Sequence, residues 1–194
     1  MKNFARFLVV ASLLASSVAF AADPAPFQGR DENVLRLSGT LASYSKLSPI
    51  TSAYGFGVDY GSYFANGFAV IVQFRNQFSS TESTFDAGTS TNDSASARLY
   101  GFTPTYSLRS GSSRMSFGLF VGAMSISAET RTVVSTTSTT TDASKSYFAI
   151  GPSATIDYFV SNRVAISLGA IFVATTVDPK PSMFVGNFGI GFSL

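Results

Sequence analysis

The chain has 194 residues, of which 12% are charged and 45% hydrophobic, with no Cys and no His. That charge content is about half the usual soluble share of roughly 25%, and the missing side chains exclude disulfides, Cys/His metal centres and His-dependent catalysis. The formal net charge of +2 comes from Lys2 and Arg6; the remaining basic and acidic residues balance, so no basic stripe points to nucleic acid.

Residues 1–21 read as a secretory signal peptide. Lys2 and Arg6 form the positive n-region, Phe7 to Val18 the apolar h-region, and Ala19-Phe20-Ala21 a small-x-small cleavage site. Residues 22–33, with Pro24 and Pro26, form a lead-in, and residues 34–194 form one β-domain. No later segment reaches the roughly 18 apolar residues that a membrane-crossing helix needs.

Eight segments then alternate with period two, the signature of strands with one apolar face. In chain order they are Val34–Tyr44, Ala53–Tyr60, Phe68–Arg75, Leu99–Leu108, Met115–Ser125, Tyr147–Tyr158, Val164–Val173 and Met183–Leu194. Most are near the 9–11 residues of a tilted membrane strand. Their second face carries small residues such as Gly57, Gly118, Gly122, Ala149, Ser153, Ser167 and Gly169. The water-facing side of a soluble sandwich or lipocalin-type barrel carries Lys and Glu instead. Small side chains suit the cramped lumen of a closed eight-stranded barrel, with the apolar face toward lipid. Larger polar groups punctuate the inward phase: Arg36, Asp59, Gln73, Arg75, Asp157 and Asn187. Buried charges must pair. These residues are therefore expected to form a network that plugs the lumen, or else a narrow polar path for ions or small solutes.

Aromatic residues gather at both strand ends, as membrane-interface girdles do. Tyr60, Tyr63, Phe64, Phe68, Tyr106, Tyr158, Phe159 and Phe192 mark one end. Tyr44, Tyr54, Phe74, Phe78, Tyr100, Tyr147, Phe172 and Phe184 mark the other. Pro104 and Pro152 fall inside strands, where each removes a ladder donor; a bulge or local irregularity is expected at both.

Connections alternate between short (Gly61–Gly67, Arg109–Arg114, Ser161–Arg163) and long (Ser45–Ser52, Asn76–Ala97, Ser127–Ser146, Ala174–Ser182). Residues 79–97 and 127–146 are rich in Ser, Thr, Asp and Ala. One reading is two solvated loops. The other uses the β-propensity of Thr and Val. Strands three and four then extend as a hairpin turning at Asp86-Ala87-Gly88, and strands five and six as one turning near Ser138–Asp142. Arg98, Arg131, Lys145 and Lys180 lie in or beside these segments, as solvated charges or as contacts for lipopolysaccharide phosphates.

The chain ends on Asn187, Gly189, Phe192 and Leu194, a polar-x-Gly-x-x-hydrophobic-x-hydrophobic pattern. This resembles the C-terminal assembly signal of outer-membrane barrels, with Leu in place of the usual terminal aromatic. Together with the periodicity and loop alternation, the mature chain resembles small bacterial outer-membrane barrels of the OmpX/Ail and OmpA-transmembrane type. The resemblance implies an eight-stranded antiparallel transmembrane β-barrel, an up-and-down meander, with short turns and both termini on the periplasmic side. It implies a monomer that meets the lipid bilayer, lipopolysaccharide and the barrel assembly machinery, without cofactors or metals. It also implies a non-enzymatic role in envelope integrity or adhesion, with host or phage ligands meeting loops 79–97 and 127–146. A pore for small solutes is the competing reading. Small barrels that act on lipid A or phospholipids rely on a His with a Ser, and this chain has no His. The Ser43–Lys46 match to Ser-x-x-Lys and the Tyr54-Gly55-Phe56-Gly57 run lack the context that either chemistry needs.

Overall fold

The computed structural model describes residues 32–45, 52–79, 82–86, 89–134, 137–176 and 181–194. The expected signal peptide and all but the end of the lead-in lie outside them. The described residues form strands and turns, with no helix: β1 (Glu32–Ser45), β2 (Ser52–Tyr63), β3 (Phe68–Ser79), β4 (Glu82–Asp86), β5 (Thr89–Ser110), β6 (Ser113–Val134), β7 (Thr137–Phe159), β8 (Val164–Thr175) and β9 (Ser182–Ser193). Every pairing is antiparallel. The order runs β3-β2-β1-β9-β8-β7-β6-β5, and the β3–β5 pairing closes the ring. Eight strands form a closed meander barrel. The ninth, β4, lies outside the ring on the outer part of β5.

Closure and alternation give the barrel two surfaces. Leu41, Tyr54, Val72, Phe102, Leu108, Phe117, Ile190 and Phe188 are exposed on the outside. Their neighbours in sequence, such as Ala42, Ala53, Ile71, Thr103, Ser107, Ser116 and Asn187, are buried inside. Four of the aromatics assigned to girdles by sequence face inward instead. Tyr63, Phe159 and Tyr147 are buried, and half-buried Tyr44 packs on the internal apolar cluster. Strand parity explains this: each is an odd number of residues from an outward neighbour such as Tyr60, Tyr158, Phe148 or Ser43.

Neither proline introduces a bulge. The β5–β6 ladder lapses between the Phe102↔Val121 and Thr105↔Gly118 pairs, and the β7–β8 ladder between Ile150↔Ala174 and Ser153↔Ile171. Equal numbers of residues are skipped on both strands, so the register survives. A proline without an N–H interrupts the ladder locally without needing an inserted residue. At the short-turn end, Gly67 and Gly111 have positive φ values of 85° and 55°, which a tight turn asks of glycine.

The opposite end is built differently. β5, β6 and β7 have 22, 22 and 23 residues, against 12 in β8. β8 ends at Thr175, opposite Ala149. Beyond it, the outer parts of β5, β6 and β7 stay paired with one another, and β4 adds to β5, giving a four-stranded sheet outside the barrel. The first outer hairpin pairs Asp86 with Thr89, as the expected turn at Asp86-Ala87-Gly88 requires. The second turns between Val134 and Thr137, not near Ser138–Asp142. The register set inside the barrel at Gly122↔Ala149 runs unbroken to Val134↔Thr137, which fixes the midpoint of the hairpin. A boundary is visible on the outer surface of this half. The rung Phe74, Tyr100, Ala123, Phe148 is followed by Asn76, Arg98, Ser125, Ser146. Apolar and aromatic side chains give way to polar ones within one rung, as at the edge of a hydrocarbon layer.

The pairing sets an exchange pattern. Backbone amides of Thr130 and Thr132, on a strand with neighbours on both sides, are expected to exchange slowly in hydrogen–deuterium measurements. Alternate amides of 137–146 that point away from β6 are expected to exchange fast. Uniformly fast exchange across 127–134 would rule out the extended sheet.

Candidate functional site

The lumen is the candidate site, and it is filled in layers. Nearest the short turns, Asp157 on β7 gathers two arginines. Its Oδ1 accepts from Arg36 Nε at 3.0 Å and from Ser167 Oγ at 2.6 Å. Its Oδ2 accepts from Arg36 Nη2 at 2.6 Å and from Arg114 Nε and Nη2 at 3.0 and 2.9 Å. Arg114 Nη1 continues to Glu32 Oε2 at 3.0 Å, and Glu32 Oε1 accepts from Ser193 Oγ. Tyr63 completes the layer: its hydroxyl accepts from Arg36 Nη2, and its ring lies 3.8 Å from the Arg114 guanidinium. Phe159 lies 5.0 Å from the same guanidinium. Side chains from β1, β2, β6, β7, β8 and β9 thus meet across the barrel. Two carboxylates face two fully buried arginines, and the exposed Arg109 reaches Glu32 Oε2 at 3.8 Å from the rim, so the buried charges are paired.

Further along the axis, Arg75 and Asp59 form a bidentate pair, with Arg75 Nη2 2.8 Å from Asp59 Oδ2. Gly57 makes room for it: a Cβ there would lie 2.6 Å from Arg75 Cδ and 2.7 Å from Nη1. Thr103 donates to Gln73 Oε1 at 3.0 Å, and Gln77 donates to Thr40 Oγ1 at 2.8 Å. Asn187 sits over Gly169, where a Cβ would meet its Oδ1 at 2.7 Å. The outer third holds an apolar cluster beside the buried polar side chains of Gln77 and Thr175. Leu99, Phe120, Met124, Ile171, Met183 and Val185 are buried together there.

Of the residues singled out by sequence, Arg36, Asp59, Gln73, Arg75, Asp157 and Asn187 all lie in the lumen and are 5% exposed or less. The structure divides their charges into two groups, Arg36–Asp157 and Arg75–Asp59, and no ion pair among the described residues joins the groups. Sequence reading missed Arg114, placed in a connection, and Glu32, placed in the lead-in. Parity was the available signal for Arg114, which is two and four residues from the inward Ser116 and Gly118. Missed too was the apolar outer layer, since Leu99 and Met183 look like lipid-facing residues when phase is read from composition. At the C-terminus, Asn187 and Gly189 face inward, while Phe192 and Leu194 are exposed. Arg98, Arg131 and Lys145 are exposed at the outer end; Lys180 lies outside the described residues.

No family model matches the sequence, and no curated protein matches it. Solved structures do share its fold. One is Ail, the attachment invasion locus protein of Yersinia pestis, in complex with the heparin analogue sucrose octasulfate. It has a TM-score of 0.60 at 14% identity, covering 86% of this chain and 100% of that one. The outer membrane protein OprG from Pseudomonas aeruginosa has a TM-score of 0.50 at 12% identity, covering 87% and 99%. The outer membrane protease OmpT from Escherichia coli has a TM-score of 0.50 at 7% identity, covering 90% and 99%. The chain is a closed antiparallel membrane barrel of the outer-membrane type. At these identities the likeness is one of architecture, which an attachment protein and a protease share.

The Asp157 cluster yields a stability prediction. Asp157→Asn leaves Arg36 and Arg114 without their shared carboxylate, and breaking a buried pair from one side costs about 3–5 kcal/mol. A correspondingly lower urea midpoint is expected for the variant folded in lipid vesicles, with Thr139→Ala, at an exposed position outside the barrel, as a control near the native value. An unchanged midpoint would mean that the cluster is not a structural tie.

Proposed function

We propose that the chain is a non-enzymatic integral protein of the bacterial outer membrane. It works through its external sheet, in envelope integrity, adhesion and surface interactions. The observation that carries this reading is the contrast between the two candidate sites. The lumen is occupied by paired charges and a packed apolar layer, whereas the sheet beyond Phe148 leaves strand edges open to extended partners. A solute path would need an open lumen, and the ion-paired layers and the packed outer apolar cluster fill it with side chains.

In this reading residues 1–21 are the export signal and 22–33 the periplasmic lead-in. Asn187, Gly189, Phe192 and Leu194 are the signal read by the assembly machinery. The lipid bilayer surrounds the apolar outer face, and Arg98, on the first polar rung, lies at the level of lipopolysaccharide phosphates. The barrel acts as a monomer within its own membrane in this reading; closure leaves no strand edge in the hydrocarbon through which copies could pair.

Single-channel recording from the refolded protein in planar bilayers tests this. Silence is expected from the native protein and from Arg75→Ala alike, with folding verified by heat-modifiable gel mobility. Steady openings that Arg75→Ala alters would establish an ion path through the lumen and replace the closed-barrel reading with a pore.

A further inference from the structure

The two free edges of the outer sheet are not equivalent. β4 is five residues long and carries Glu82 and Asp86. A short, charged edge strand is blunted against pairing. The other edge is residues 137–146 of β7. It is paired to β6 on one side, and no strand lies on its other side among the described residues. Its only charged residues are Asp142 and Lys145; the others are Thr, Ser and Ala. Ten residues of low charge and high Thr content make an edge ready for another strand.

Two properties of this edge single out its partner. The first is symmetry. Antiparallel pairing of the strand with itself keeps both sheet faces continuous when it is centred on a residue. Centred on Thr141, it sets Thr140 opposite Asp142, Ser138 opposite Ser144 and Thr137 opposite Lys145, so no like charges meet. Centred on Asp142, it would set that carboxylate against itself.

The second is charge. Glu129 and Asp142 are direct cross-strand partners, an arrangement that destabilises a sheet. Arg131 is the register partner of Thr140, and its Nε donates to Ser138 Oγ at 3.1 Å, so its guanidinium already lies over β7 toward the open edge. With Thr141 at the centre, the row Arg131–Thr140 of one copy continues into the row Asp142–Glu129 of the other. By register, each Arg131 then shares a row with the acidic positions 142 and 129 of the other copy, twice over by two-fold symmetry.

We propose that residues 137–145 of β7 pair antiparallel with the same residues of a second copy held in a facing membrane. The proposal rests on the surface-interaction reading above and names its partner. Direction forces the arrangement. Antiparallel pairing of one strand with itself puts the two barrels at opposite ends of the joined sheet, which side-by-side copies in one membrane cannot achieve. The two Phe148 residues would stand about 14 residues apart along the joined strands. At about 3.4 Å per residue they lie roughly 45–50 Å apart along the strands, and a strand tilt of about 35–45° sets the two hydrocarbon boundaries roughly 35–40 Å apart.

Phospholipid vesicles carrying the folded protein, without lipopolysaccharide, provide the test. Native vesicles are expected to cluster, with a membrane gap near the predicted value in electron cryomicroscopy. Arg131→Asp vesicles alone, and Asp142→Arg vesicles alone, are expected to cluster at least tenfold less, because each variant sets like charges across the seam. An equal mixture of the two restores both contacts and is expected to cluster like the native protein. Both substitutions lie outside the barrel, and heat-modifiable mobility confirms that each variant is folded. Dispersed native vesicles, variants that cluster alone as well as the native protein, or a mixture without recovery would each overturn self-pairing. If such vesicles are also electrically silent, the closed-barrel reading stands and the edge takes a different extended partner. If they conduct, that reading falls on its own evidence.

Discussion

A backbone that crosses hydrocarbon must pair all its N–H and C=O groups internally, and the β1–β9 seam is where this chain meets that demand. The seam runs from Val34↔Ser193 to Ser45↔Ser182. It is reinforced at the short-turn end by the Leu194 amide donating to Asn33 O at 2.9 Å and by Ser193 Oγ donating to Glu32. Everything else depends on closure. It allows the outer face to be apolar without a soluble partner, and it creates an interior that must be filled.

The way the interior is filled follows from its width. Glycines line much of the lumen, and long side chains from a few positions reach across the space that they leave. Arg36 and Arg114 come from strands on opposite sides of the ring and meet at one carboxylate. A buried ion pair is weak evidence of net stability, because desolvation offsets much of the attraction. Its stronger effect is on register. A slip of one residue in any contributing strand turns its charged side chain out into lipid. The cluster therefore penalises misregistered closure more than it stabilises the correct one.

Much of this architecture was legible in the sequence. Period-two alternation located all eight barrel strands, and the small-residue face identified the lumen side, because both follow from local geometry. The inward phase of Arg36, Asp59, Arg75 and Asp157 was readable for the same reason. Which carboxylate each arginine meets was not. Arg36 is register partner to Asp59 yet bonds Asp157, 121 residues away, across the lumen. Tyr63 and Phe159 were misplaced because an aromatic near a strand end reads as a girdle residue, and only parity separates it from a lumen residue stacked on a guanidinium. The outer turn near residue 135 was misplaced because its position is inherited from pairing deep in the barrel rather than from local turn residues.

The outer sheet obeys a different rule from the barrel that carries it. Inside the bilayer an unpaired edge is prohibitive, but beyond the polar rung of Arg98 and Ser125 water satisfies free backbone groups. Strands can therefore lengthen there without closing. The lengthening is uneven: β5, β6 and β7 continue, while β8 stops at Thr175. A sheet of unequal strands must have edges, and sequence decides which of them stays open. Acidic residues on β4 and a Thr-rich run on β7 make opposite choices on the two sides of one sheet. Such an asymmetry is expected of a surface with one side for pairing and one for exclusion. A pair of floppy solvated loops would have no reason to keep register with the barrel over ten residues.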